Sequence, residues 1–495
     1  MTVHTSIGDA TQSGESRKGR FLLYLVFAVA ISRMISLAFY PLMDTTEARY
    51  AEIARFMVET GDWVTPWFDP SVPFWGKPPL SFWMTAASFK IFGVNELAAR
   101  LPHWLAGLAV LWLVWGIAIR HSKRLAIWTM ALLVGAAMFF LSAGAVMTDM
   151  AMLVGTTMAM RGFWLGLHGS AIERRHECWW LFIGLGIGLL AKGPIAIVLS
   201  LVPIFFWTVV SSNISVVWRN LPWVKGSLLT LLIALPWYVL AEIRTPGFLD
   251  YFIVGEHFNR FLVPGWKGDL YGSAHQFPRG TIWFFLLVDL LPWVLVLPVL
   301  YIIQLFRAEK LQTVTNDRAW MSYLWMWGLT AAVFFTFAGN ILWPYVLPGF
   351  PALALLTSIW LDRNPKPHII DRFLSVGLVT TTVLFAVYIV GLKVTGVDKN
   401  RSQKALIADY QSRRQFDEEL IYVGARQFSA DFYSKRQAIF VPDMSYLSNQ
   451  TQYSSAYLAI PNNQVATMPI SLKKSLQLIS VHGRYTLYRA DHEKK

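Results

Sequence analysis

Acids and cations cluster at the points where apolar runs break off, and their types suggest group transfer. Tyr40-Pro-Leu-Met-Asp44-Thr-Thr-Glu47-Ala-Arg49-Tyr50 follows directly on the apolar run 21–39. Asp149, in Val146-Met-Thr-Asp-Met, is a lone acid at the entry to an apolar helix, where an ionisable side chain is costly and by default functional. Lys192 precedes Gly193-Pro194, a break that ends one helix and offers the N–H groups of the next as a cradle for phosphate. In Glu256-His257-Phe-Asn-Arg260, His257 and Arg260 fall one helical turn apart and can hold an anion. Together these groups suit transfer from a lipid-phosphate donor. A carboxylate would position or deprotonate the acceptor, and the cations would stabilise charge on the departing phosphate.

Each group also has a plainer account. Asp44 and Glu47 have the spacing of a capping box, Asp149 could cap the next helix, Lys192 could snorkel, and His257 with Arg260 could be a surface pair. Only their convergence on one side of the fold would favour chemistry. Arg33 and Asp289 are set outside the site, the first as a snorkelling residue and the second as a partner within the bundle.

The elements that would position these residues are membrane helices. The 495-residue chain is 55% hydrophobic and only 15% charged, where soluble domains carry nearer a quarter charged. Apolar runs near 21–40, 98–119, 125–142, 146–167, 178–191, 194–210, 224–242, 281–306, 320–338, 342–361 and 373–394 give about eleven spans by the length a bilayer requires. Basic residues such as Arg120, Lys123, Arg124, Arg174, Arg175, Arg307, Lys310, Arg363 and Arg372 then share the cytoplasmic side with the tail 1–20, and loops 40–97 and 243–280 lie outside. Within the first loop, Leu80–Phe92 reads as a short helix lying along the membrane, interrupted by Lys90. The net charge of +13 is spread in short clusters between apolar runs, which argues against nucleic acid. A single cysteine, Cys178, excludes an internal disulfide and a cysteine-cluster metal site.

From 396 onward the composition shifts. A charged helix over 401–418 and alternating stretches at 420–423, 438–441, 456–460 and 476–481 predict a small α/β domain, 396–495, read as a lid or docking module.

Several motifs carry a resemblance. Thr46-Glu47-Ala48-Arg49-Tyr50-Ala51-Glu52-Ile53-Ala54-Arg55, Gly61-Asp62-Trp63-Val64-Thr65-Pro66, Lys77-Pro78-Pro79-Leu80, Phe92-Gly93-Val94-Asn95-Glu96-Leu97-Ala98-Ala99-Arg100-Leu101-Pro102, Lys192-Gly193-Pro194 and Tyr345-Val-Leu-Pro348-Gly-Phe-Pro351 resemble the bacterial aminoarabinose transferases of lipid A. These belong to the protein mannosyltransferase group of GT-C glycosyltransferases. The resemblance implies an all-α GT-C membrane domain over 21–395 with interfacial helices in the first periplasmic loop, and a periplasmic C-terminal domain. It further implies a monomeric inner-membrane enzyme that uses an undecaprenyl-phosphate sugar on the periplasmic side and acts on lipid A. Carried over, Asp44, Glu47 and Asp149 are the candidate acids, and Arg49, Lys77, Lys192 and Arg260 the donor-phosphate cations. Thr46 stands where the family has an aspartate, which leaves Asp44 and Glu47 both open as the key acid. Gly76 replaces an acid that in the family can join a histidine at a divalent metal, so His257 lacks that companion. Gly339-Asn340-Ile341-Leu342-Trp343 replaces expected basic residues and points to a changed sugar or acceptor. Two rivals remain: transfer to protein hydroxyls, and a lipid or polysaccharide transporter, which would place charges at the bilayer midplane and show internal repeats.

Overall fold

Apolar runs become helices because a bilayer leaves backbone groups no partner but one another. In the computed structural model, which describes residues 6–272, 275–306, 318–364, 366–415, 418–448 and 456–490, a helical element covers each of the runs above. Arg307 and Lys310 lie outside the described residues. Length and apolarity together qualify fewer spans than expected. Among the described residues they are Glu96–Ala118, Asp149–His168, Trp223–Arg244, Trp343–Leu361 and Pro367–Val394, with a sixth if Thr281–Asp289 and Trp293–Ile302, bent by 79°, count as one. Of the other runs, 125–142 and 194–210 are broken or short, while Ser6–Ser36, Ala171–Lys192 and Arg318–Thr336 are continuous helices that length and apolarity together do not qualify. The run at 125–142 divides at Ala136 into Lys123–Gly135 and Ala137–Ser142. Pro194, with no N–H to give, starts a new helix of 17 residues, Pro194–Val210.

Asp149–His168 and Ala171–Lys192 form an antiparallel hairpin packed through small residues. A Cβ on Gly155 would lie 2.7 Å from the Gly184 carbonyl oxygen, and one on Gly162 would collide with the Leu181 backbone, so only glycine allows this approach. The hairpin returns the end of its second helix to the start of its first. Asp149 and Lys192 therefore share one end of the bundle.

The first loop folds as helix Thr46–Thr60, a short hairpin of β1 (Trp67–Asp69) and β2 (Val72–Pro73), and helix Leu80–Phe92. Lys90 falls in the last turn of that helix, which Gly93 ends at φ +75°, and so does not interrupt it. Tyr50, Phe74 and Phe82 meet edge to face at centroid distances of 5.2–5.8 Å and hold the loop together. Arg33 does not snorkel. It is buried, and its guanidinium donates to the Phe140 and Leu141 carbonyls, Ser36 and Tyr40. Nor does Asp289 pair within the bundle, since its Oδ2 is buried without a partner.

The C-terminal region carries a mixed sheet in the order β4-β3-β5-β7-β6, made of β3 (Glu419–Val423), β4 (Ala438–Val441), β5 (Ala456–Pro461), β6 (Leu476–His482) and β7 (Tyr485–Ala490). The four expected strands are present. β7, not expected, pairs antiparallel with both β5 and β6 and so lies inside the sheet. The charged helix expected over 401–418 divides into Val397–Arg401 and Lys404–Arg413.

This region docks on the first loop through ions. Arg436 meets Glu52 at 2.6 Å, Arg426 meets Asp69 at 3.1 Å, and the Tyr433 hydroxyl donates to Glu96 at 2.8 Å. Beneath them burial pushes the Asp431 carboxyl up from 3.8 to about 6, although Arg426 pulls the other way. A folded-state pKa above the unfolded one means that the folded form keeps a proton the unfolded chain has lost. Stability is therefore lower above about pH 6 and rises as the pH falls towards 4. The span of roughly two units corresponds to about 3 kcal/mol. In Asp431→Asn this part of the slope should vanish when thermal unfolding of the full chain is followed from pH 4 to pH 7.

Candidate active site

A cavity of about 470 Å³ opens where the hairpin end, the Gly193 break and loop 243–280 meet. Most of its wall is apolar, with Val198, Phe261, Phe334 and Phe335 among its residues, while Lys77, Lys192, Glu256, His257, Arg260, Asn340 and Tyr345 gather as its polar groups. Glu256 is the hub. Its side chain is 3% exposed and accepts from Lys77 at 2.9 Å and from Arg260 at 3.0 and 3.1 Å, while Arg260 also reaches Asp269 at 3.3 Å. Burial works to raise the Glu256 carboxyl, but Lys77 and Arg260 outweigh it and hold it below the usual carboxylate range. Two cations converge on one buried carboxylate, which therefore keeps them in place for a second anion.

Lys192 pairs with Asp149, and its Nζ lies 4.6 Å from the centre of the Tyr345 ring. Asp149 is the first residue of its helix, and the N-cap residue Thr148 makes no side-chain cap bond, so the acid serves the lysine rather than the helix end. Gly193 is required at the break. Its φ of +87° is left-handed, and a Cβ would lie 2.6 Å from Phe252 Cζ. Pro194 and Ile195 consequently turn the start of the new helix to the cavity.

His257 and Arg260 both line the cavity, though not as a turn of α-helix. Asp250–Asn259 is a π-helix, and Arg260 begins a short α-helical turn after it. His257 Nδ1 donates to the Phe252 carbonyl at 2.7 Å, and the Lys192 backbone is its second partner. With Nδ1 on a backbone carbonyl, Lys77 and Arg260 nearby and Glu256 already holding two cations, these residues do not fit a divalent metal. Among the described residues no group of three or more His, Cys, Asp or Glu is placed to hold one.

The motif at 44–49 lies outside this wall, and the capping box expected there does not form: helix Thr46–Thr60 starts after Thr45 with no side-chain cap. Asp44 accepts from the Ser429 backbone N at 2.9 Å and from its hydroxyl. Burial raises the Asp44 carboxyl against those bonds. Arg49 donates to the Tyr271 carbonyl. Tyr271 packs 5.8 Å from Tyr251, whose hydroxyl reaches Glu256 at 3.4 Å, so Arg49 stands behind the cavity rather than in it.

Glu47 is held by Arg100 through two bonds of 2.8 and 2.7 Å, and the fully buried Arg100 also donates to the Leu37, Tyr40 and Pro41 carbonyls. Arg100→Ala would leave Glu47 and three carbonyls without their donor and should destabilise the protein by about 3–5 kcal/mol, read as a lowered unfolding temperature. Sequence reasoning assigned no role to Arg100, Glu256 or Asn340. The spacing of Glu256 and Arg260, four residues apart, was the one local signal available.

A family model described as dolichyl-phosphate-mannose-protein mannosyltransferase matches residues 20–252. Undecaprenyl phosphate-alpha-4-amino-4-deoxy-L-arabinose arabinosyl transferase 1 of Pseudomonas fluorescens is 27% identical over 385 residues, 74% of this chain and 62% of that protein. The corresponding transferase of Erwinia tasmaniensis is 29% identical over 353 residues, 68% of this chain and 59% of that protein. The chain spans about three fifths of the length of these curated relatives. Among solved structures, ArnT from Cupriavidus metallidurans bound to undecaprenyl phosphate superposes with a TM-score of 0.78 at 20% identity, covering 94% of this chain and 97% of that one. Its apo form gives 0.76. The structural likeness establishes the fold.

Proposed function

We propose that this chain, an aminoarabinose transferase-like member of the GT-C glycosyltransferases, moves a sugar from an undecaprenyl-phosphate-linked donor to a lipid acceptor. The acceptor is lipid A of lipopolysaccharide, and the sugar is 4-amino-4-deoxy-L-arabinose or a relative of it. One observation carries this reading: an apolar cavity whose wall holds Lys77, Lys192 and Arg260 against the single lining carboxylate Glu256. An isoprenoid tail suits the apolar wall, and a phosphate monoester or diester suits the three cations that face the cavity.

In the proposed reaction the acceptor oxygen attacks the anomeric carbon as the bond to the phosphate oxygen breaks, with inversion. The bonding pair leaves with undecaprenyl phosphate, and Lys77, Lys192 and Arg260 stabilise the charge it gains. Asp149 holds Lys192 and is the candidate acid nearest this chemistry. Asp44 and Glu47 would each have to exchange a present partner, Ser429 or Arg100, to meet an acceptor, and Arg49 supports the cation set through Tyr271. The reading places the protein in the inner membrane as a multi-pass chain, with a cytoplasmic N-terminal tail, and loops 40–97 and 243–280 with the C-terminal domain in the periplasm.

Mass spectrometry of lipid A from cells with and without the chain tests this. The expected result is a lipid A species heavier by one sugar residue that depends on the chain. The family model's description favours one rival, transfer to protein hydroxyls; unchanged lipid A with newly glycosylated periplasmic protein would replace the lipid reading by that one.

A further inference from the structure

Arg260 opens the last helical turn, Arg260–Leu262, whose carbonyls have no intrahelical partner. Pro264 lies just beyond and has no N–H with which to continue the chain's bonding. The missing donors come from a different part of the sequence. Asn340 Nδ2 donates to the Arg260 carbonyl at 2.6 Å and to the Val263 carbonyl at 2.9 Å, and its Oδ1 accepts from Gly265 N at 3.0 Å. The flanking backbone adds bonds from Gly339 N to the Phe261 carbonyl at 2.7 Å and from Ile341 N to the His275 carbonyl at 3.1 Å. The approach is tight enough to require glycine before Asn340, since a Cβ on Gly339 would lie 2.8 Å from Pro264 N.

We infer that Asn340 is a positioning residue for anion recognition: by fixing the backbone from Arg260 to Gly265 it aims the Arg260 guanidinium into the cavity. The inference rests on the donor reading above. It adds that the strap 339–341, where basic residues were expected from the family resemblance, contributes to phosphate selectivity without any charge of its own. Three of the amide's hydrogen-bonding capacities are spent on backbone, and the side chain is 6% exposed. It is a built clamp with little left over to bind a ligand itself. The Arg260 side chain keeps its bonds to Glu256 and Asp269 only while its own Cα stays in place.

The test compares two probes that share a tail and differ in charge, undecaprenyl phosphate and undecaprenol, bound to the purified full chain in lipid nanodiscs. The parent chain should prefer the phosphate. Asn340→Leu, similar in size but without donors, should lower that preference about tenfold or more while leaving undecaprenol affinity unchanged, which also reports that the cavity is still folded. Asn340→Gln, with the same amide on a longer stem, should recover part of the preference, and it carries the test alone if the leucine variant does not fold. A phosphate preference kept in both variants overturns the inference and spares the donor reading. A parent chain that binds the two probes equally overturns the donor reading and the inference with it.

Discussion

Arg260→Ala should lower transfer from an undecaprenyl-phosphate sugar by about 10²–10³-fold in kcat/KM, roughly 3–4 kcal/mol, the size expected when one donor to a developing anion is lost from a water-poor site. Arg260 is the cation with the richest set of partners at the cavity, two bonds to Glu256 and a third contact to Asp269. Its removal also leaves Glu256 dependent on Lys77 for charge compensation. Some lost activity could therefore come from a disturbed wall, so a second variant separates the two effects. Adding Asp269→Asn to Arg260→Ala removes the acid left without its arginine and should recover thermal stability without recovering transfer. Arg260→Lys should be intermediate, since a lysine keeps the charge and gives up the planar fork. Arg244 offers a control. Its pair with Asp62 is half exposed, and Arg244→Ala should alter activity by less than about threefold, because exposed pairs contribute little. Transfer by Arg260→Ala within threefold of the parent chain would remove Arg260 from the phosphate.

The parts of this arrangement that could be read from the sequence are those encoded locally. Gly193-Pro194 marks a helix break by its own chemistry, and Lys192 beside it is therefore recognisable as a cation at a break. The strands β3 to β5 announce themselves as short, nearly continuous apolar runs, and β6 by partial alternation. β7 did not, although its first four residues are buried, because Tyr485 to Ala490 mixes buried side chains with an arginine and shows no clean alternation. The partners of the conspicuous acids were out of reach for a different reason. Glu47 is answered by Arg100, 53 residues on, and Asp44 by Ser429, 385 residues on. No local pattern links such pairs, so spacing alone suggested a capping box. Glu256 went without a role for a related reason. Its spacing to Arg260 looks like an ordinary surface ion pair, and only the third dimension brings Lys77 from the first loop to the same carboxylate. Asn340 stood only within a stretch that departs from the family pattern; its own residue type gave no further signal, since a lone asparagine in a loop is commonplace and its value lies in the carbonyls it finds. Part of the shortfall in span count arises because hydropathy marks apolar stretches but not where a helix within them breaks, as at Ala136 and Gly193.

Lys192→Ala should produce the second large loss, at least about 10²-fold in transfer, and here structure and chemistry can be separated by a compensating change. Asp149 is 4% exposed at the side chain and pairs with Lys192. Without the lysine a buried carboxylate would stand uncompensated, at a cost of about 3–5 kcal/mol in stability. Lys192→Ala combined with Asp149→Asn exchanges that charge for a neutral amide and should restore most of the unfolding temperature. If Lys192 serves only to neutralise Asp149, the double variant regains transfer as well. If it meets the donor phosphate, the double variant is stable and inactive. Asp149→Asn alone then decides what the acid does. Release of Lys192 from its partner should tighten undecaprenyl phosphate binding whether or not Asp149 has a further task. A fall in kcat alongside that tighter binding assigns Asp149 a part in the transfer step, whereas an unchanged kcat leaves it as the group that orients the lysine.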